Sequence, residues 1–167
     1  MSLIPFDDLP DHARLWLFSA DRALAPDEQR LLVDSVETGL AEWAAHGSPV
    51  RWGHRISHDQ FLMIGVDETQ TALTGCSIDN AVGQIRALED RLEVSFLDNS
   101  RIFFRDGDTI RMVSRAEFRD LATEGRVHGD TVVMNNVIAT VGELRQGLWE
   151  VPARRSWHAE AFPVRVQ

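Results

Sequence analysis

Lysine and tyrosine are both absent from this sequence, and all 17 basic residues are arginine. A phosphate-binding P-loop, G-x-x-x-x-G-K-[ST], needs its lysine to reach the phosphates, so no such loop can be built from these residues. No G-x-G-x-x-G stretch follows a predicted strand either. Together these absences exclude a conventional nucleotide hydrolase. The single cysteine rules out an internal disulfide and fits a reducing compartment. No apolar run approaches the roughly 18 residues of a membrane span. The opening residues, Met1 to Asp8, lack the basic and long apolar regions of a secretion signal. The expected location is the cytoplasm. Arg154-Arg155 is the only adjacent basic pair and the net charge is −9, so neither nucleic acid nor an anionic membrane is an expected partner. Low-complexity segments and repeats of roughly 20 to 50 residues are also missing.

What is present is a globular composition, 44% hydrophobic over 167 residues, enough to bury a core. Arg14 to Ala20 is rich in apolar and aromatic residues and reads as a first strand. Pro26 opens a helix whose stripe is Leu32, Val36, Leu40 and Trp43, closed by His46-Gly47. Val50 to Ser57 and Gln60 to Val66 are predicted strands joined at His58-Asp59. A polar loop, Asp67 to Gly75, leads into a second helix, Ser77 to Leu92, striped by Ile78, Val82, Ile85, Leu88 and Leu92. Arg101 to Arg105 and Thr109 to Val113 flank Asp106-Gly107, a hairpin signal.

The last third changes character. Ser114 and Glu117 form a capping box that starts a short helix ended by Gly125. Thr131 to Met134 is a short strand, and Thr140 to Glu143 reads as a second capping box. The tail, with Trp149, Trp157 and Phe162, is expected to pack across the main sheet, since such large side chains are seldom left exposed. The expected fold is α+β, a mostly antiparallel sheet with two main helices and a small C-terminal α/β extension. The element order permits a ferredoxin-like β-α-β-β-α-β arrangement. The expected organisation is a sandwich core over 1–113 with an extension over 114–167 packed on the same domain.

The chemistry-bearing stretch is Thr74-Gly75-Cys76-Ser77-Ile78-Asp79, where a polar loop becomes a helix. Unpaired backbone N–H groups at a helix start stabilise a thiolate, and can also bind an anion. Six histidines are available as a base for Cys76, and His46 and His158 are the preferred ones, with Asn135, Asn136 or an aspartate as orienting group. An unpaired cysteine is also one of the most commonly buried residue types, a small hydrophobe under the helix start. His54 and His58, four apart on a strand, lie too far apart for one ion, so no metal and no cofactor are expected.

Trp43-x-x-His46-Gly47, the Thr74 to Asp79 stretch, Asp130-Thr131-x-Val133-x-Asn135-Asn136, Trp149-x-Val151-Pro152 and Ser156-Trp157-His158 together resemble a family of small bacterial proteins often labelled "ABC transporter ATPase". That resemblance runs from about Leu9 to Phe162 and implies a small soluble bacterial protein with no established activity, while the ATPase label conflicts with the missing P-loop. In the last third, the helix ended by Gly125, Asp130-Thr131-x-Val133 and Trp149-x-x-Pro152 are similar to part of the GYF-type adaptor domains, which bind proline-rich peptides, and this resemblance implies an interaction role in a general sense. Its Gly-Tyr-Phe signature is absent.

The leading expectation is a non-catalytic ligand- or partner-binding domain, with Thr74, Gly75, Ser77, Asp79, Asn135 and Asn136 as contacts near the Cys76 helix start. Its partner would be a small molecule or a protein, a second copy of the chain included. A thiol-dependent enzyme, with Cys76 as nucleophile and His46 or His158 as base, is one alternative. A redox sensor working through Cys76 is the other.

Overall fold

The structure, a computed structural model, describes residues 2–43, 50–69 and 75–165, and the side chains of these except 41–43 and 75–81. The fold is α+β, and the chain divides into two compact units, 1–97 with 139–142 and 98–138 with 143–167. The expected division at 113/114 falls inside the second unit. No helix among the described residues is long and apolar enough to cross a membrane.

The first unit holds β1 (Ser2–Leu3), β2 (Arg14–Ser19), α1 (Pro26–Trp43), β3 (Arg51–Ser57), β4 (Phe61–Asp67) and α2 (Gly75–Leu92). Its sheet has the order β1-β3-β4-β2. β4 runs antiparallel to both neighbours, so β2 and β3 are parallel to each other with α1 as their crossover, a split βαβ unit. All seven residues of β4 are buried. Leu62, Ile64 and Val66 join Leu32, Val36, Leu40, Ile85 and Leu88 of the two helices in one apolar core. Strand residues two apart share a face, so Phe61, Met63 and Gly65 point to the other side. There a Cβ built on Gly65 would meet Leu9 at 2.4 Å and Val141 at 3.1 Å. Gly53 stands directly across from Gly65 in the register. A Cβ on Gly53 would meet the Ile4 carbonyl oxygen at 2.7 Å and Phe6 Cα at 3.1 Å. The two glycines open the slot into which the short 3₁₀ turn Phe6–Asp8 settles. Arg55 then closes over it, its guanidinium 4.8 Å above the Phe6 ring and paired with Asp7.

The second unit holds β5 (Ile102–Asp106), β6 (Thr109–Val113), α3 (Arg115–Thr123), β7 (Val132–Met134), α4 (Val141–Arg145, whose first two residues belong to the first unit), β8 (Glu150–Pro152) and α5 (His158–Ala161). Its sheet has the order β6-β5-β7-β8, antiparallel throughout. The strand expected to complete a ferredoxin-like sheet is β5, and it belongs here instead. The free side of β2 is covered by Ala139, whose carbonyl accepts from the Leu15 amide at 2.8 Å, and by Ser95, whose carbonyl accepts from Asp21 at 3.1 Å. The tail is likewise placed differently from expectation. Val151, Ala153 and Phe162 fill the second unit's own core with Phe104, Phe118, Leu121 and Val133.

The local signals are visible in the backbone. His58 and Asp59 carry φ of 52° and 53° in the β3–β4 turn, and Gly107 a φ of 62° between β5 and β6. At the start of α3 both arms of the capping box form. Ser114 Oγ accepts from the Glu117 amide at 3.2 Å, and the Glu117 carboxylate accepts from the Ser114 amide at 2.8 Å.

The glycine slot predicts a graded response. Gly53→Ala pushes a methyl group into backbone and should cost about 1–3 kcal/mol. Gly65→Ala meets the end of the flexible Leu9 side chain and should cost less. Gly83→Ala, in α2 with nothing within 4 Å of the new Cβ, should instead stabilise by about 0.5–1 kcal/mol. Urea denaturation of the three variants would overturn the slot if Gly53→Ala were neutral.

Candidate functional site

Thr74 and His46 lie outside the described residues. α2 starts at Gly75, two residues earlier than expected. Gly75, Cys76 and Ser77 therefore form its first turn, and Asp79 sits in the second rather than the first, where a carboxylate gains less from the helix dipole. The side chains of these four residues lie outside the described set.

At the end of β4 that leads toward α2, a polar cluster forms that the sequence reading missed. Asp67 is 5% exposed, and its carboxylate accepts from Arg51 at 2.7 Å and from the Thr69 amide at 3.1 Å. The Thr69 hydroxyl also bonds to it, and His12 Nε2 lies 3.3 Å from Oδ1 and 2.8 Å from Thr69 Oγ1. The Thr69 hydroxyl first, then the Arg51 guanidinium, hold the Asp67 carboxyl well below the usual carboxylate range. Arg14 and Glu68 add a looser pair at 3.5 Å. One imidazole nitrogen meets both the acid and the hydroxyl, so no Ser-His-Asp-type relay, which needs both ring nitrogens, exists here. No local signal announced this cluster, because His12 and Asp67 are 55 residues apart.

His158, a candidate base, is a core residue of the second unit. It is 1% exposed, its ring centroid 4.0 Å from that of Trp157 and 5.8 Å from that of Phe118. Nδ1 lies 2.6 Å from Ser156 Oγ. Burial first, then the nearby Arg115 guanidinium, push the imidazole down to about 4, so it is neutral at physiological pH. Arg115 itself lies 5.2 Å above both the Trp157 and Phe162 rings.

Asn135 and Asn136 follow β7. Asn136 Oδ1 accepts from Trp149 Nε1 at 2.9 Å. Asn135 Nδ2 donates to the Leu148 carbonyl at 3.0 Å, and its amide to the Trp149 carbonyl at 2.6 Å. Both asparagines thereby anchor the approach to β8. Asn135 also lines a groove of about 580 Å³ with Val137, Arg154, Arg155, Ser156 and Trp157. Val137 is 67% exposed, and Asn135 Oδ1 and Trp157 Nε1 are buried without a hydrogen-bond partner. Among the described residues no group of three or more His, Cys, Asp or Glu side chains is arranged to hold a metal ion.

No family model matches the chain, and neither a curated protein nor a solved structure matches it. Function has to be read from the sites themselves.

The imidazole in the core makes stability depend on pH. Its pKa falls from 6.5 to about 4 on folding, so between these values the unfolded chain binds the extra proton. The contribution of His158 is complete above about 6.5 and is lost as the pH falls toward 4, with a slope of at most about 1.4 kcal/mol per pH unit. Asp67, with its lowered pKa, loses its contribution only at more acidic pH. Urea denaturation across this range should show the slope in the native protein and a flatter profile in His158→Phe. Identical profiles would mean that His158 is not a buried neutral group.

Proposed function

We propose that the protein is a non-catalytic binding protein whose second unit receives an extended segment of a protein partner in the Trp157 groove. The observation that carries this reading is the convergence of separate stretches on one concave surface. Asn135, from the stretch after β7, meets Arg154, Arg155, Ser156 and Trp157 of the tail, with the exposed Val137 beside them. Exposed apolar surface rimmed by polar groups is the composition of a recognition site. A tryptophan and arginines are the residue types that most often anchor one.

The chemistry favours a segment that places an apolar side chain against Val137 and Trp157 and a carboxylate against Arg155. Arg154 is already paired with Asp130, which leaves the exposed Arg155 to take that carboxylate, while Glu160, the acidic residue of the same lining, disfavours a second one. The lone cysteine supports a cytoplasmic setting for it.

Selection of a random peptide library on the whole protein tests the proposal. Enriched peptides should pair an apolar with an acidic residue. Their affinity should fall about tenfold or more in Val137→Asp, which changes an exposed side chain and leaves the core intact. Arg155→Glu should shift the preference toward basic peptides. The reading is wrong if no peptide is enriched, or if enriched peptides bind Val137→Asp and Arg155→Glu as they bind the native protein.

A further inference from the structure

A second cavity in the same unit has a different chemistry and stands independently of the groove. It measures about 310 Å³ and lies between the β5–β6 hairpin and the segment after α3. Arg105, Arg111 and Arg126 line it together with His128 and Thr131, and among the described residues Asp106 is the one carboxylate in its wall. Phe104, Leu121 and Val127, all buried, supply an apolar side. A concentration of guanidinium groups in one small cavity stands out in a chain of net charge −9.

The three arginines are held differently. Arg105 places Nε and Nη2 at 3.0 and 2.9 Å from a single Glu150 oxygen, a tight pair that fixes the side chain. Arg111 meets Asp106 at 3.4 Å, and Arg126 meets Glu124 at 3.7 Å, with both residues of each pair at least 40% exposed. Long, solvated pairs of this kind contribute little, so a better anion in the cavity can displace either carboxylate. His128 Nδ1 accepts from the Asp130 amide at 3.3 Å, which places the proton of the neutral ring on Nε2 as a donor. Thr131 Oγ1 accepts from the His128 amide at 3.0 Å and keeps its own hydrogen to give.

The geometry points to a binding site for a small phosphate monoester, its phosphate taken by Arg111, Arg126, His128 and Thr131. A carboxylate has two oxygens and one charge. A phosphate has three terminal oxygens and about −1.5 to −2 charge at neutral pH, which matches this number of donors. The volume is at the low end for small-molecule sites, so the body attached to the phosphate is compact.

Calorimetric titration of the whole protein with phenyl phosphate, inorganic phosphate and benzoate tests the assignment. Phenyl phosphate should saturate one site, with inorganic phosphate weaker and benzoate at least about tenfold weaker. Arg126→Ala should lower the phenyl phosphate affinity about tenfold or more, while Arg119→Ala, on α3 outside the cavity, should leave it unchanged. Glu124→Gln should raise the affinity, because it removes the carboxylate that competes for Arg126. No saturation up to about 10 mM overturns the site, as does equal binding by Arg126→Ala. Benzoate binding as tightly as phenyl phosphate overturns the phosphate assignment, and a phosphoserine peptide binding more tightly than phenyl phosphate overturns the small-molecule assignment.

Discussion

The first unit depends on a strand that has no solvent face. β4 lies between β2 and β3 and is buried along its whole length, with helices on one side and the Phe6–Asp8 turn with Leu9 and Val141 on the other. A strand buried on both faces reads as an unbroken apolar run, and Phe61-Leu62-Met63-Ile64-Gly65-Val66 is one. Burial on two sides requires two sets of covering elements. The helices supply one by their stripes. The other is assembled from distant pieces, the N-terminal turn and 139–142, and it fits only because Gly53 and Gly65 face each other across the ladder. Backbone hydrogen bonds hold the far piece in place. The Val141 amide donates to the Ala13 carbonyl at 2.9 Å, and Gly142 to Asp11 at 2.8 Å.

That division explains which parts of the fold were legible in the residues. Elements specified by their own sequence were read correctly: the Pro26 helix start, the His58-Asp59 and Asp106-Gly107 turns, and the Ser114–Glu117 capping box. Each depends on contacts within a few residues. Sheet membership is different, because an alternating or apolar run carries no label for its partner. β5 follows a helix just as a fourth ferredoxin-like strand would, yet it pairs with β6 and with Val133 of β7. The glycines of β3 and β4 were equally opaque, since the reason for a glycine in a strand is the backbone that approaches it.

The candidate site divides along the same line. His158 and His12 look alike in sequence, each a histidine beside polar and apolar neighbours. One is sealed among Trp157, Phe118 and Phe162 and held neutral, and the other is 63% exposed against a buried acid. Burial makes that difference, and burial comes from long-range packing. The asparagines were legible as special, though for a different reason. Asn136 serves the Trp149 indole, a structural bond, while Asn135 holds the β8 approach through Nδ2 and also lines the groove.

Arginine as the only basic residue gives these sites a shared physical character. A guanidinium is weakly hydrated and planar, so it lies on aromatic faces where an ammonium would remain in water. Arg55 does so on Phe6, Arg111 on Phe104 at 5.9 Å, and Arg115 on Trp157 and Phe162. In each case one side chain both covers apolar surface and keeps a charge at its rim. Arg111 does this in the cavity wall, where it lies over the Phe104 ring while Asp106 holds it only loosely. Lysine at the same place would lose the stack and the fork of donors, and its charge would move into solvent. The arginine-only composition therefore bears on recognition as well as on surface charge, because it allows fixed cations in a protein whose overall field is negative.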